Sequence, residues 1–311
     1  MALPSHFAIS GPSPLGSSAL SWAQDRMRRS GVDAPWLTAL VLFERATGLG
    51  REEVLAHPDA MVSRAQLHVF QALVERRCHR EPLAYILGYR DFYGRRFSVD
   101  RSALIPRPET EGLVSLALDC ITRLRAERSM DAGAAINRPF DVLDVGTGCG
   151  SIAVTILASR SDCRVVATDV DLQCLRLARS NAVTHEVAER LELVACDVVD
   201  GLALQSPLIV ANLPYVPTNE IDQLEPEVAE FEPRRALDGG ADGTAVIQSL
   251  LTALPRVMEP GGTALMEFGD GQSPRLRDAA RFILPSWPIR TECDASGTER
   301  YLLVDRPSAG G

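Results

Sequence analysis

The sequence contains no lysine. All 32 basic residues are arginine, whose guanidinium stays charged in proteins. Positive charge is still the scarcer sign: 41 acidic residues leave a net charge of −9. That balance argues against nonspecific nucleic-acid binding, which relies on basic side chains to neutralise phosphates, though it leaves room for a local basic patch. Paired cysteines are also missing. The seven cysteines are scattered and odd in number, and none forms a C-x-x-C pair. They read as reduced thiols of a cytosolic protein. The five histidines are dispersed, and no cluster has metal-ligand spacing. No apolar run reaches the length of a membrane span. The start, Met1 to Gly16, lacks a basic stretch followed by an apolar core, so no signal peptide is expected.

The length of 311 residues suggests about two domains, with enough chain to bury a sizeable core. Residues 1–16, rich in Pro, Ser and Gly, are expected to fray. Helical patterning follows. Leu20, Ala23 and Met27 share one face and Gly31 closes the segment; Ala34 to Ala46 and Arg51 to Leu55 come next; Ser63 caps a helix whose stripe is Leu67, Phe70, Leu73 and Val74. Pro82 breaks this pattern. Tyr85 to Val99 reads as a hairpin or short strands, with Gly94 at a turn. Pro106 and Pro108 hold an extended connector that presents Arg107 and Glu109. A helix from about Glu111 to Arg125 and a loop over 129–138 complete this part.

From Pro139 the pattern alternates strand and helix, which predicts a parallel sheet with helices on both faces. The strands are Phe140–Val145, Arg164–Thr168, Leu191–Ala195, Leu208–Ala211, Thr263–Phe268 and Arg300–Val304. Helices open at Ser151 and Leu172 and run over Thr244–Met258, stopped by Pro260-Gly261-Gly262, and Pro274–Phe282.

Two stretches carry chemistry. The first is Asp144-Val145-Gly146-Thr147-Gly148-Cys149-Gly150-Ser151, between a strand and its helix. Its glycines permit a tight turn against a ligand, and the helix N-terminus offers free N–H groups. Asp169 ends the second strand and follows Gly150 by about twenty residues, near the spacing at which an acid grips ribose hydroxyls. Beyond the third strand, an adenine can lie against Val198. A dinucleotide site favours G-x-G-x-x-G. Here the glycines alternate, and Asp144 repels a phosphate while suiting an ammonium or sulfonium. The balance favours S-adenosylmethionine. Cys149 reads as a small filler.

The second stretch is Asn212-Leu213-Pro214-Tyr215, at a strand end where α/β proteins place chemistry. The Asn212 amide oxygen and the Leu213 carbonyl are two acceptors, and Tyr215 offers a flat face. They suit a planar –NH2 group, as in an amide or the exocyclic amine of a base. A plain Asn-x-Pro turn is the other reading of the same four residues.

With these residues assembled, the chain resembles the class I methyltransferases, and more closely the protein-N5-glutamine methyltransferases of peptide chain release factors (the HemK/PrmC group). The resemblance spans nearly the whole chain. It rests on Glu81-Pro82-Leu83-Ala84-Tyr85-Ile86-Leu87-Gly88, Phe92-Tyr93-Gly94, Ile105-Pro106-Arg107-Pro108-Glu109-Thr110, Glu232-Pro233-Arg234-Arg235-Ala236-Leu237-Asp238-Gly239-Gly240 and Glu267-Phe268-Gly269.

The resemblance implies a Rossmann-like, seven-stranded α/β methyltransferase domain over 111–311. A helical substrate-recognition domain (1–80) and a hairpin connector (81–110) precede it. It implies cofactor contacts at Gly146, Thr147, Gly148, Cys149, Gly150, Asp169, Val198 and Asn212, and substrate contacts at Asn212, Leu213, Pro214 and Tyr215. The implied partner is a release factor bound at its Gly-Gly-Gln loop by a cytoplasmic monomer, with no membrane or direct nucleic-acid partner. The family usually shows Asn-Pro-Pro-Tyr. Leu213 departs from it, keeping the backbone carbonyl but losing one locked φ, and Asn-Leu-Pro-Tyr also resembles the rRNA adenine dimethylases. An adenine-N6 methyltransferase, a methyltransferase of a ribosomal protein glutamine, and a noncatalytic cofactor-binding protein stay open as alternatives. Arg107, Glu109, Glu232 and Glu267 serve either functional polar contacts or ion pairs between domains.

Overall fold

Apolar stripes at helical spacing close the first of two compact units, which meet between Gly88 and Tyr89. The computed structural model describes residues 16–56, 62–130 and 138–308. The fraying expected before Gly16 and most of the loop expected over 129–138 lie outside the described residues.

The first unit comprises α1 (Gly16–Arg29), α2 (Pro35–Thr47), α3 (Arg51–Ala56), α4 (Arg64–Cys78) and α5 (Leu83–Leu87). Leu20, Ala23 and Met27 on α1 meet Leu42 and Phe43 on α2 and Phe70 and Val74 on α4 in one buried cluster. Ser63 caps α4 reciprocally with Gln66, the arrangement that satisfies two otherwise orphaned backbone donors. Tyr85 to Leu87 are helical, not extended as the sequence suggested. Pro82 starts the turn where its missing N–H costs nothing, and Ile86 joins the helical core. Three consecutive apolar residues carry no period from which to tell the two states apart.

The second unit opens with a hairpin, β1 (Tyr89–Phe92) and β2 (Arg95–Ser98), joined at Tyr93-Gly94. Both turn residues have positive φ, 50° and 69°, the geometry whose twist matches that of paired strands. Then follow α6 (Thr110–Met130), β3 (Phe140–Val145), α7 (Ser151–Ser159), β4 (Cys163–Asp169), α8 (Leu172–Thr184), β5 (Leu191–Ala195) and β6 (Ser206–Ala211). The chain ends with α9 (Pro226–Ala229), α10 (Ala245–Val257), β7 (Met258–Glu267), α11 (Ser273–Ile283), β8 (Ile289–Cys293) and β9 (Glu299–Asp305).

The seven-stranded sheet has the order β5-β4-β3-β6-β7-β9-β8. Strands β3 to β7 run parallel; β9 is antiparallel to both its neighbours. Side chains alternate across the sheet. Val142, Val165, Leu208 and Val210 face a core with α6 and α7. Leu143, Val145, Ile209, Ala211 and Met266 face a core with α10 and α11. This is the two-faced architecture the sequence pattern predicts, with two corrections. β8 was missed because Ile289-Arg290-Thr291-Glu292-Cys293 is a polar edge strand with no buried residue. β7 begins at Met258 and runs through Pro260-Gly261-Gly262, which was expected to separate helix from strand; a register irregularity opposite Ser206 and Leu208 absorbs the turn.

The register positions the site. Val145 pairs with Thr168 on one side and with Ala211 on the other, and Asp169 pairs with Ala195. The next residues of the parallel strands therefore emerge side by side at the carboxyl edge. The strand order reverses at β3, the place where open α/β sheets bind ligands.

Candidate active site

The Gly146–Gly150 loop leaves β3 and enters α7. Gly146, Gly148 and Gly150 all have positive φ. A Cβ on Gly146 would sit 2.9 Å from Leu213 Cδ2, and one on Gly150 would sit 2.9 Å from the Ala178 Cβ. Any side chain at Gly146 would thus strain the backbone and strike its neighbour. The loop is tied down by N–H groups of Gly146 and Thr147, which donate to the Thr168 carbonyl at 2.9 and 2.8 Å. The Gly148 N–H donates to Asp169 Oδ2 at 2.9 Å.

Asp144 lies beneath the loop, wholly buried. Thr147 Oγ1 donates to its Oδ2 at 2.7 Å, while among the described residues Oδ1 has no side-chain hydrogen-bond partner. Burial pushes this carboxyl up to about 7. An uncompensated carboxylate oxygen here disfavours a phosphate and suits a cationic group. Cys149 is buried, and burial raises its thiol to about 11, which disfavours the reactive thiolate.

Both oxygens of the Asp169 carboxylate are held by backbone N–H groups. Oδ2 accepts from Gly148, Oδ1 accepts from the Asp171 N–H at 2.9 Å, and burial raises its pKa. Val198 holds φ at 50°, a strained conformation for a β-branched residue. Its carbonyl accepts from Thr168 Oγ1 at 2.8 Å, which helps hold that conformation.

Asn212 follows β6. Its Nδ2 donates to Thr110 Oγ1 at 3.0 Å. Among the described residues no backbone N–H outside the regular elements is bonded to the Leu213 carbonyl. The Leu213 side chain packs into the α10–α11 core against Gly146. The Tyr215 hydroxyl is directed to Glu267 Oε1 at 3.5 Å, and Gln272 Nε2 donates to the Tyr215 carbonyl at 2.8 Å.

These groups surround one cleft, partly open to solvent. Gly146, Gly148, Asp169, Val198, Asn212, Leu213 and Pro214 line it. Thr147, Cys149, Gly150 and Tyr215, expected as contacts, are not among its lining residues. Sequence reasoning did not single out Ser102 to Leu104, Arg235 or Asp238, which also line it, or Thr110, which holds Asn212. The quoted motifs contained Thr110, Arg235 and Asp238, but nothing in them showed where those side chains point. Arg235 reaches the cleft while pairing with Asp171 at 3.1 Å.

The connector is pinned over this edge. Glu232, with a 1% exposed side chain, takes Arg107 Nη2 at 2.5 Å and the Ile105 N–H at 3.1 Å. Glu232→Gln keeps the shape and loses the charge pair. We expect it to cost about 1–3 kcal/mol in urea unfolding, with a weaker grip on the substrate seen as a raised KM. An unchanged unfolding midpoint would remove this role from Glu232.

The glycine loop, the acid after β4 and the acceptors after β6, set on this strand order, define a class I methyltransferase. Residues 18–88 match the PrmC N-terminal domain and residues 129–231 the methyltransferase small domain. A release factor glutamine methyltransferase of Caulobacter vibrioides is 35% identical over 282 residues, 90% of this chain and 93% of that protein. The protein of that name from Rhodopirellula baltica is 37% identical over 294 residues, covering 92% and 95%. The chain belongs to the release factor glutamine methyltransferase family. A solved structure, the hMettl16 catalytic domain in complex with MAT2A 3'UTR hairpin 6, aligns with a TM-score of 0.51 at 14% identity, over 76% of this chain and 83% of that one. That likeness is one of fold. Among the described residues, no helix is long and apolar enough to cross a membrane.

Proposed function

We propose that this chain transfers a methyl group from S-adenosylmethionine to the side-chain amide nitrogen of the glutamine in the Gly-Gly-Gln loop of peptide chain release factors. One observation carries the reading: Asn212 and Leu213 line the same cleft as the glycine loop and Asp169. The family relationship supplies the substrate class.

Gly146, Gly148, Asp169 and Val198 would hold the cofactor, with Thr147, Cys149 and Gly150 shaping the loop behind them. S-adenosylmethionine, when bound, supplies a methyl already activated on a sulfonium. The protein's own task is position and electrostatics. An amide nitrogen is a poor nucleophile because its lone pair is delocalised. Asn212 Oδ1 and the Leu213 carbonyl accept its two N–H groups, aim the nitrogen and stabilise positive charge that grows on it. Pro214 fixes the backbone that presents that carbonyl, and Tyr215 offers a flat face to the amide. No dedicated base is required; the proton leaves to water after transfer. The N-terminal residues 1–80 and the connector 81–110 recognise the release factor, and the chain acts in the cytoplasm as a monomer, with no direct nucleic-acid partner.

The test is the intact mass of a purified release factor after incubation with this protein and S-adenosylmethionine. A gain of one methyl, mapped to the Gly-Gly-Gln glutamine, is expected. No gain with cofactor bound would reject the reading.

A further inference from the structure

We propose that Thr110 is a positioning residue that sets which end of the Asn212 amide faces the cleft. The inference rests on the methyl-transfer reading above. The two ends of an Asn amide are alike in shape and opposite in chemistry. The substrate –NH2 needs the oxygen. A turned amide would set donor against donor.

The observed contact decides the orientation. Asn212 Nδ2 donates to Thr110 Oγ1 at 3.0 Å, which leaves Oδ1 as the amide's acceptor for the guest. Thr110 is 2% exposed at the start of α6, and its backbone N–H is bonded to the Arg107 carbonyl at 3.1 Å. A hydroxyl has one hydrogen. Glu267, buried at the end of β7, lies against it, and the Thr110 hydroxyl is the strongest contact favouring the charged carboxylate. A Thr110 hydrogen turned toward Glu267 leaves the hydroxyl oxygen to accept from Asn212, as the 3.0 Å contact has it. A carboxylate that accepts, a hydroxyl that relays and an amide that donates form a directed chain ending at the reacting nitrogen.

The direction depends on the charge of Glu267. Burial raises its pKa to about 7; the Thr110 and Tyr215 hydroxyls and Arg300 lower it, and Glu109 raises it. Its Oε2 has no partner among the described residues. Ionised, Glu267 can only accept. Protonated, it can donate to Thr110, which then donates toward Asn212 and favours the turned amide. Turnover should therefore rise with pH through an ionisation near neutrality.

The test measures kcat, the KM for release factor and cofactor affinity across pH for the intact protein and three variants. Thr110→Val keeps the shape and loses the hydroxyl; we expect kcat to fall about 10- to 100-fold, with cofactor affinity within about threefold. Thr110→Ser should restore most of kcat. Glu267→Gln should flatten the acid limb of the pH profile. An unchanged kcat in Thr110→Val, or an equal loss in Thr110→Ser, would overturn the inference.

A second readout is independent of the substrate. The Asn212 side-chain NH2 signals of 15N-labelled protein should exchange slowly in the wild type and Thr110→Ser and quickly in Thr110→Val. Equal exchange in all three also overturns it. A wild type inactive on release factor, yet with a protected Asn212 amide, would instead reject the substrate reading alone.

Discussion

Asn212→Ala should lower methyl transfer to release factor by roughly 100- to 1,000-fold, the scale seen when one preorganised polar contact to developing charge is removed. The loss should fall on kcat. Asn212 lines the cleft, but the glycine loop and Asp169 come from other strand ends, so cofactor affinity should change by less than about tenfold. Asn212→Asp is the sharper variant. It keeps shape and an acceptor but loses the Nδ2 donor that meets Thr110. Thr110, with one hydrogen, would then stand between two carboxylates, Glu267 and the new one. Beside the buried Glu267 carboxyl across Thr110, the introduced carboxyl should have a raised pKa, and activity should be strongly pH dependent. Single-turnover rates beside titration calorimetry check both variants. Wild-type turnover in Asn212→Ala would remove Asn212 from the reaction.

The second large effect is expected at Gly146. Gly146→Ala forces an L-residue to φ 74° and drives its Cβ to 2.9 Å from Leu213 Cδ2. The backbone cost is about 1–2 kcal/mol and the overpacking about 1–3 kcal/mol. Either the loop or the buried Leu213 side chain must shift, and the forced φ displaces the loop in both cases, so cofactor binding should weaken by more than about 100-fold, on the scale of a loop held out of place by a few kcal/mol. Leu213→Ala alone opens a cavity and should cost about 2–5 kcal/mol. The double variant separates the causes. Without the Leu213 side chain the clash is gone and only the φ cost remains. The double should then be more stable than the sum of the two losses by about 1–3 kcal/mol, the overpacking relieved. Strict additivity in urea unfolding would show that the two residues do not meet as described.

That contact also accounts for Leu213 as the structure shows it. Position 213 read in the sequence as a departure that keeps a carbonyl and loses a locked φ. In the fold its side chain is 4% exposed and seats on the glycine loop, joining the two halves of the cleft. The sequence carried the halves separately, because each is local. Gly146 to Gly150 sits between a strand and a helix of clear period, and Asn212 ends a run of apolar residues. What it did not carry are contacts between distant positions. Thr110 and Asn212 are 102 residues apart, and Arg107 and Glu232 are 125 apart. A side chain's partner across such a gap depends on strand order and register, which no window of local pattern contains. β8 stayed hidden for a different reason: an exposed edge strand needs no apolar alternation to be paired.

Glu267 is held above the ordinary carboxylate range in the folded chain, to about 7, chiefly by burial. The folded state therefore holds a proton that the unfolded chain releases near 4.5. Stability at this site is full below that value and falls as pH rises toward about 7. Glu267→Gln should gain stability relative to the wild type above neutrality, with the gain vanishing in acid. Urea midpoints at several pH values check this.

The most direct test of the whole account is transfer of labelled methyl from S-adenosylmethionine to three acceptors side by side. These are purified release factor, the same factor with its Gly-Gly-Gln glutamine changed, and ribosomal RNA. The account predicts label on the intact factor alone. Label on the RNA, or equal label on the changed factor, would contradict it.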